Sequence, residues 1–225
     1  MKKINVAIDG PSGAGKSTVS LEVAKKINYT FISSGSIYRA IAYVINKLNI
    51  DYKNEKQVNA NLDDKILLIT LDENQKIYHD SFDITLLIRS DKISQISSNI
   101  AVYKKVREYV VNYIQKITKA NKGYIMDGRD TTYRIMPHAE VKIFLTATAN
   151  ERARRRILQN QQLGYNTNFN EVLAEVEARD KQDSNRKNDP LKIVPDANVI
   201  DCTSINFETV VENIIKLIKE KENEK

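Results

Sequence analysis

Gly10-Pro11-Ser12-Gly13-Ala14-Gly15-Lys16-Ser17 matches the phosphate-binding loop pattern G-x-x-x-x-G-K-[ST] at each of its fixed positions. Residues 4–9 before it are predicted to form a buried strand, and residues 17–27 after it carry apolar side chains at helical spacing. The glycines let successive backbone N–H groups point inward around an anion, and the following helix adds its positive end. The stretch therefore predicts a nucleoside triphosphate site, with Lys16 on the β- and γ-phosphates and the Ser17 hydroxyl on Mg²⁺.

Composition narrows the class of protein further. The chain has 225 residues, enough for a substantial core, and we predict a single α/β domain over residues 1–225. The lone cysteine, Cys202, excludes an internal disulfide framework and fits a reducing cytosol, and two histidines with one cysteine leave no credible zinc site. No apolar stretch has the length that spans a bilayer. The net charge of +6 favours a polyanionic partner, either a nucleic acid or a small phosphorylated substrate.

Strand-like and helical segments alternate along the chain. Strands are predicted at residues 4–9, 30–32, 124–127, 141–145 and 198–201, with amphipathic helices between them. Such alternation is typical of a parallel sheet covered by helices on both faces. The fold prediction is therefore an α/β P-loop NTPase with a five-stranded parallel sheet.

Two segments add to this plan. Residues 60–90 combine strand-like runs at 66–71, 76–79 and 82–85 with a turn at 73–75, which predicts a small antiparallel β insert. Residues 151–166 are predicted to form an arginine-rich segment, whose helix begins at the capping-box sequence Thr148-Ala149-Asn150-Glu151. Because the planar fork of arginine suits phosphate oxygens, this clustering favours a phosphate-transfer site over a nucleic-acid groove. A solvated helix surface is the alternative for any one of these arginines.

The remaining motifs distinguish between classes of nucleotide-binding protein. A GTPase needs an Asn-Lys-x-Asp guanine reader, and Asn121-Lys122-Gly123-Tyr124 lacks its aspartate. A kinase needs a second anion site and positive charge over the transferring group. Residues 34–39, 127–130 and 179–186 supply hydroxyls, carboxylates and guanidiniums for these tasks, the first two at strand ends where open α/β sheets bind ligands. Helix capping, a salt-bridged strand end and i,i+4 pairing are the structural alternatives for the three segments.

In combination, the motifs resemble those of the bacterial cytidylate kinases of the long type. The resemblance runs nearly end to end and rests on IDGPSGAGKST at 8–18, SGSIYR at 34–39, DGRD at 127–130, KIFLTA at 142–147, ERARRR at 151–156, RDKQDSNR at 179–186 and DPL at 189–191. It implies phosphorylation of CMP and dCMP by ATP with Mg²⁺. It also implies an acceptor-binding insert at about residues 60–90 and a lid at about residues 151–166. It also implies a cytoplasmic monomer whose partners are small molecules, with no nucleic acid and no membrane.

The resemblance further implies a role for each site residue. The residues expected to hold ATP are Gly10, Pro11, Ser12, Gly13, Ala14, Gly15, Lys16, Ser17, Thr18, Arg154, Arg155 and Arg156. The residues expected to contact the acceptor are Ser34, Tyr38, Arg39, Ser98, Arg107, Asp130, Arg179, Asp183 and Arg186, among which Ser98, Arg107 and Asp130 look like the cytosine readers. The residues expected to act catalytically through their charge are Lys16, Arg129, Arg179 and Arg186, and those expected to bind Mg²⁺ are Ser17 and Asp127.

One stretch departs from the family pattern, and two other functions stay open. The usual Gly-Arg-Asp-(Ile/Met)-Gly-Thr reads Gly128-Arg129-Asp130-Thr131-Thr132-Tyr133 here, so we expect a stiffer loop after Asp130.

The first alternative function is a kinase for UMP or another small phosphorylated acceptor, which hydrogen-bond complementarity at the cytosine readers would decide. The second is a nucleotide-regulated nucleic-acid binder, suggested by the basic charge but not by any interleaving of aromatic and basic residues.

Overall fold

The computed structural model describes residues 2–63, 68–72, 76–162 and 167–224. Over these residues the chain divides into two compact units. The first, which we call the P-loop unit, comprises Met1–Phe31 and Asn121–Lys225, and the second, the inserted unit, comprises Ile32–Ala120. The single domain over residues 1–225, with its lid at 151–166 and its insert at 60–90, stays a prediction.

Strands and helices alternate along the chain. In chain order the elements are β1 (Val6–Asp9), α1 (Lys16–Ile27), β2 (Thr30–Ser33), α2 (Ser34–Lys47), α3 (Glu55–Ala60), β3 (Ile69–Leu71), β4 (Ile77–His79), β5 (Phe82–Asp83), α4 (Asp91–Ile100), α5 (Lys104–Ala120), β6 (Tyr124–Gly128), β7 (Val141–Thr146), α6 (Ala149–Gln162), α7 (Phe169–Asn185), β8 (Asn198–Asp201) and α8 (Phe207–Asn223). A short 3₁₀ turn at Leu87–Arg89 and a π-helical turn at Thr131–Ile135 complete the described elements. Each of the five strands predicted for the parallel sheet is present, within one or two residues of its predicted bounds.

The strand β1 is the centre of the five-stranded parallel sheet, whose order is β2-β6-β1-β7-β8. It pairs with β6 so that Asp9 lies opposite Gly128, and with β7 so that Asp9 lies opposite Phe144. All of β1 is buried, as expected of a strand covered on both faces. Because the strands are parallel and in register, the loops after β1 and β6 leave the sheet at the same edge. That edge is where open α/β sheets bind ligands.

The helices α1 and α8 bury their apolar faces in the core of the P-loop unit. Val23 of α1 and Ile214 of α8 belong to one buried cluster with the apolar residues of β1, β6 and β7. The helix α8 begins after Asn206, whose side chain accepts a hydrogen bond from the Thr209 N–H at 2.8 Å. The helix α1 ends at Ile27 and is followed by Asn28, in a left-handed conformation that asparagine tolerates. The helix that opens at the phosphate-binding loop is thus fixed along its length by the core.

The helix α2 organises the inserted unit. Its buried residues Ile37, Ile41, Val44 and Ile45 recur at helical spacing, and the helix packs against α4 with further contacts to α5 and β4. Strands β3, β4 and β5 form an antiparallel sheet in that order, which confirms the predicted β insert. The start of its first predicted strand, at 66–67, and its predicted turn, at 73–75, lie outside the described residues.

The helix α6 confirms the predicted start of the arginine-bearing segment. The Glu151 N–H donates to Thr148 Oγ1 at 3.3 Å, which is one of the two bonds of a capping box, whereas the Thr148 N–H donates to Thr203 Oγ1 at 2.9 Å rather than to Glu151. The helix ends at Gln162, and the last four residues of the predicted lid, 163–166, lie outside the described residues. Over the ranges that the structure describes, no helix is both long enough and apolar enough to cross a membrane.

Candidate active site

Gly10 brings the phosphate-binding loop into close contact with the neighbouring strand. A Cβ atom at this position would lie 2.0 Å from the backbone carbonyl oxygen of Leu145, which no side chain could tolerate without a backbone shift. Gly15, at the end of the loop, has a φ of 88°, in the left-handed region that favours glycine. The two outer glycines of the motif are therefore required by steric contact and by backbone conformation, respectively.

Three cationic side chains bind backbone carbonyl oxygens of the loop. Lys16 Nζ donates to the Pro11 oxygen at 2.7 Å. Arg152 Nη1 donates to the Ser12 oxygen at 2.9 Å, and Arg155 Nη1 donates to the Ala14 oxygen at 3.4 Å. These bonds fix the loop through its acceptors, which leaves its N–H donors for an anion, as a phosphate-binding nest requires.

Lys16 is a buried cation, with 6% of its surface exposed. Burial, reinforced by the nearby positive charge of Arg129, lowers its pKa from 10.5 to about 7, although the carboxylates of Asp127, Asp9 and Asp183 act in the opposite direction. A bound polyphosphate would add negative charge beside this amine. Nucleotide binding and protonation of Lys16 are therefore expected to reinforce each other.

Ser17 and Asp127 lie in direct contact at the first turn of α1. The Ser17 hydroxyl donates a short hydrogen bond to Asp127 Oδ2. Burial raises the pKa of Asp127, while the bond from Ser17 and the charges of Lys16 and Arg129 oppose that rise. A hydroxyl and a carboxylate are hard oxygen donors of the kind that Mg²⁺ prefers, so these residues fit the expected metal.

A cleft of about 600 Å³ opens beside the loop within the P-loop unit. Arg155 and Arg156 line it, as expected for residues that hold a nucleotide, but Arg154 does not, and its side chain is 68% exposed. The predicted residues Asp127 and Arg129 also line it. The sequence analysis did not predict the remaining lining residues, which are Val19, Gln159, Cys202, Ile205, Phe207 and Val210. An apolar wall with a few polar groups is typical of a site for a base.

Arg129 and Asp130, which follow β6, each bind a residue at the end of α7. Arg129 Nε donates to Asp183 Oδ2 at 2.7 Å, and Arg186 Nη2 donates to Asp130 Oδ1 at 3.1 Å. Arg179 lies one turn before Asp183, with its Nε 3.6 Å from Asp183 Oδ1. Both carboxylates are at least 93% buried as side chains, whereas the three guanidiniums are 22–57% exposed. The structure thus brings together five of the predicted residues as a charged cluster with cations open to an anion.

The segment after Asp130 is a helical turn. The Ile135 N–H donates to the Asp130 oxygen at 3.2 Å, and the Met136 N–H donates to the Thr131 oxygen at 2.8 Å. Thr131 and Thr132 are buried. The β-branched residues Thr131 and Thr132 are thus part of a hydrogen-bonded π-helical turn, and the expected stiffening of this segment stays a prediction.

The other predicted acceptor residues lie in the inserted unit, on three helices. Ser34, Tyr38 and Arg39 are on the first turns of α2, Ser98 is on α4, and Arg107 is on α5. The N-cap of α2 is Ser33, without a side-chain capping bond. The Arg39 guanidinium lies over Gly35, with its Nη2 3.8 Å from the position of a Cβ atom there. The Ser98 hydroxyl donates to the Ser94 carbonyl oxygen at 3.1 Å.

Arg152 is a site residue that the sequence analysis did not select. It is 4% exposed, and besides the Ser12 carbonyl it binds the Ala147 oxygen through Nε at 2.9 Å. Its Nη1 and Nη2 also donate to the two carboxylate oxygens of Asp180, at 2.9 and 2.5 Å. This buried pair joins α6, α7 and the phosphate-binding loop. In the sequence, Arg152 is one of four arginines in residues 151–156, and only its position next to the buried Ala153 sets it apart.

The parallel sheet, the phosphate-binding loop and the arginine–carboxylate cluster define a P-loop kinase. Residues 6–220 match the family described as cytidylate kinase. A protein named cytidylate kinase from Mycoplasmopsis synoviae (strain 53) is 55% identical over 217 residues, covering 96% of this chain and 99% of that protein. Another of that name, from Bacillus pumilus (strain SAFR-032), is 41% identical over 215 residues, with 95% of each chain covered. The chain therefore belongs to the cytidylate kinase family.

Two solved structures are similar in fold. An uncharacterized protein from Eubacterium ventriosum ATCC 27560 superposes with a TM-score of 0.56 at 12% identity, covering 96% of this chain and 99% of that one. A gluconokinase from Sinorhizobium meliloti 1021 gives a TM-score of 0.50 at 13% identity, covering 97% and 93%. At this level of identity the likeness concerns the fold alone.

Proposed function

We propose that this chain transfers the γ-phosphoryl group of ATP to CMP and dCMP, giving ADP and CDP or dCDP. Membership of the cytidylate kinase family gives the reaction class. The observation that carries the assignment of the site is the arrangement within one unit of a phosphate-binding loop and the Arg129–Asp183 and Arg186–Asp130 pairs. A triphosphate donor and an anionic acceptor would find complementary charge at the two places.

The donor is proposed to bind in the cleft beside the loop. The residues assigned to it are Gly10, Pro11, Ser12, Gly13, Ala14, Gly15, Lys16, Ser17, Thr18, Arg155 and Arg156. The loop N–H groups and Lys16 would hold the phosphates, and the base would lie against the apolar wall that includes Phe207 and Val210. Arg154 is exposed on α6, so we assign it a weaker, long-range contribution to binding of the polyanion.

Ser17 and Asp127 are the residues that would hold Mg²⁺. The ion, when bound, neutralises charge on the β- and γ-phosphates. The hydrogen bond between the two side chains orients both oxygens before any ligand enters. The buried environment of Asp127 strengthens its attraction to a cation.

The acceptor is proposed to interact with charged and polar residues, which are assigned here one group at a time. Arg129, Arg179 and Arg186 would bind the acceptor phosphate and the transferring group, and Asp183 would accept hydrogen bonds from the sugar hydroxyls. Asp130 would accept from the exocyclic amine of cytosine. From the sequence resemblance, Ser34, Tyr38 and Arg39 are proposed for the acceptor phosphate, and Ser98 and Arg107 for the base.

The transfer itself needs positioning and charge rather than a protein nucleophile. The acceptor phosphate oxygen attacks in line, while Lys16 and Arg129 stabilise the charge that moves toward the leaving oxygen. Arg129 is already held by Asp183, so its guanidinium costs little reorganisation during the reaction. Closure of the arginine-bearing segment over ATP would exclude water and limit hydrolysis.

We further propose that the chain acts as a cytoplasmic monomer on small nucleotides, without a nucleic-acid or membrane partner. The lone cysteine, Cys202, is buried in the core, which fits a reducing compartment. A kinase for UMP is the alternative with the same chemistry. Recognition of the cytosine amine by Asp130 is the feature that separates the two acceptors.

The test is release of ADP from ATP and Mg²⁺ with CMP, dCMP, UMP, AMP and GMP as acceptors. We expect turnover with CMP and dCMP that exceeds the others by at least about tenfold in kcat/KM. Asp130→Asn, which replaces an acceptor oxygen with an amide donor, should shift preference from CMP toward UMP. Equal turnover of CMP and UMP by the wild type would overturn the cytosine assignment and leave the kinase chemistry intact.

A further inference from the structure

A buried carboxylate joins the phosphate-binding loop to the turn after β6. Asp9 is 0% exposed and accepts three hydrogen bonds. The Thr131 N–H donates to Asp9 Oδ1 at 2.8 Å. The Thr132 N–H and the Thr132 Oγ1 hydroxyl donate to Asp9 Oδ2 at 2.8 and 2.6 Å. A charge buried this deeply is stable only when hydrogen bonds satisfy it, and here every donor comes from one turn.

The position of Asp9 gives this contact its consequence. Asp9 is the last residue of β1 and directly precedes Gly10, the first residue of the phosphate-binding loop. The two residues that donate hydrogen bonds to it, Thr131 and Thr132, directly follow Asp130. Arg129 and Asp130, just before this turn, carry the charges proposed to meet the acceptor. The Asp9 carboxylate therefore connects the phosphate-binding loop, which is proposed to hold ATP, to the turn beside the proposed acceptor residues.

The Thr132 hydroxyl adds a side-chain bond to the two backbone bonds that Asp9 accepts. A glycine at position 132 would keep the backbone N–H but could not supply this 2.6 Å bond. The neighbouring hydroxyl behaves differently. Thr131 Oγ1 is buried and has no hydrogen-bond partner among the residues that the structure describes, and it packs against Gly128. Of the two threonine side chains, only that of Thr132 binds the carboxylate.

We propose that Asp9 and Thr132 are positioning residues that fix the acceptor-side charges, Arg129 and Asp130, relative to the phosphate-binding loop. This inference rests on the proposed function, because it assigns those two charges to the acceptor. Neither Asp9 nor Thr132 touches a substrate in this account. They act through the turn that directly follows Arg129 and Asp130, whose side chains are proposed to contact the acceptor.

The effect is expected on the acceptor rather than on ATP. The phosphate-binding loop has independent anchors, since Lys16 binds the Pro11 carbonyl and Arg152 binds that of Ser12. The turn after Asp130 depends on Asp9 for its first two N–H groups. Loss of the Thr132 hydroxyl would therefore loosen the turn and leave the nucleotide site largely as it is.

The test compares Thr132→Val with Thr131→Val, which removes the neighbouring buried hydroxyl that does not bind Asp9. We expect Thr132→Val to lower kcat/KM for CMP about tenfold, the loss of one charge-assisted hydrogen bond, with the Kd of ATP changed less than about twofold. Thr131→Val should stay within about twofold of the wild type in both quantities. Thr132→Ser keeps the hydroxyl and should recover most of the loss.

The outcomes are separable from those for the proposed function. The wild type is assayed first, and if it prefers another acceptor, the comparison is made with that acceptor. Thr132→Val that lowers thermal stability while leaving kcat/KM for the acceptor unchanged would show a merely structural role and overturn the inference. So would equal losses in Thr132→Val and Thr131→Val, or a loss of ATP affinity as large as that for the acceptor. If Thr132→Val does not accumulate as folded protein, Thr132→Ala provides the same comparison.

Discussion

Asp180→Asn tests the buried pair that holds the phosphate-binding loop. The substitution keeps the size of the side chain and removes the negative charge opposite Arg152, which is 4% exposed. Removing one partner of a buried ion pair costs about 3–5 kcal/mol of unfolding free energy. The Asp180 side chain is 29% exposed, and Arg152 would keep its bonds to the Ser12 and Ala147 carbonyls. We therefore expect a smaller loss, of about 2–3 kcal/mol.

Thermal and chemical denaturation measure this loss. For a chain of this length, about 2–3 kcal/mol corresponds to a fall in Tm of roughly 5–10 °C. A matched control is Glu220→Gln, because Glu220 forms an exposed pair with Lys216 at 3.9 Å on α8. Its loss should be below about 0.5 kcal/mol.

The Kd of ATP gives a second readout of the same substitution. Arg152 binds the loop carbonyl at Ser12, so Asp180→Asn should weaken ATP binding as well as lower stability. An Asp180→Asn protein as stable as Glu220→Gln would refute the reasoning, because the buried pair would then contribute no more than a surface pair.

Further predictions concern the titration of Lys16 and substitutions at Gly10 and Arg129. Burial lowers the pKa of Lys16 to about 7, and a bound polyphosphate should raise it again, so ATP binding at pH 8 should take up protons. Calorimetry in buffers of different ionisation enthalpy measures this uptake, and a value near zero would contradict the prediction. The unfolded chain binds the extra proton between about pH 7 and 10.5, so this lysine adds stability as pH rises through that window. Gly10→Ala places a Cβ atom 2.0 Å from the Leu145 carbonyl oxygen, so ATP affinity should fall at least about tenfold by direct titration; wild-type affinity would show that the loop can shift freely. Arg129→Lys loses the Nε bond to Asp183, so kcat should fall at least about tenfold while the Kd of ATP stays within about twofold, and unchanged turnover would remove its catalytic role.

The sequence predicts the parts of this fold that depend on short-range pattern. Strands with continuous apolar runs, such as β1 and β7, and the glycine loop between β1 and α1 carry signals within a dozen residues. The capping box at Thr148 likewise places the start of α6 correctly. The β insert is predicted for the same reason, since alternating strands and turns are local features.

The contacts that depend on tertiary structure could not be predicted in this way. Spacing does not distinguish Arg152 from Arg154, yet the first is buried against Asp180 and the second is exposed on the same helix. The partner that decides their difference lies on another helix. Cys202 belongs to the buried core cluster, and it also lines the cleft beside the phosphate-binding loop. Its second role depends on where α8 begins relative to the loop.

The role of Asp9 also could not be predicted from the sequence. As the last residue of a predicted strand it resembles any polar strand end, and its partners are more than a hundred residues away in the sequence. The sequence analysis predicted a stiffer loop at Thr131 and Thr132 because β-branched residues occur there, but it did not predict that they bind Asp9. Only the parallel pairing of β1 with β6 brings the carboxylate and the turn together.

The most direct test of the account follows the γ-phosphate itself. ATP labelled at the γ-position is incubated with Mg²⁺, CMP and the protein, and CDP and inorganic phosphate are separated. The account predicts that label appears in CDP in step with the formation of ADP, with little free phosphate, because acceptor charge and water exclusion direct the transfer. Label released as inorganic phosphate at the rate of ADP formation, with CMP recovered unlabelled, would contradict the central claim.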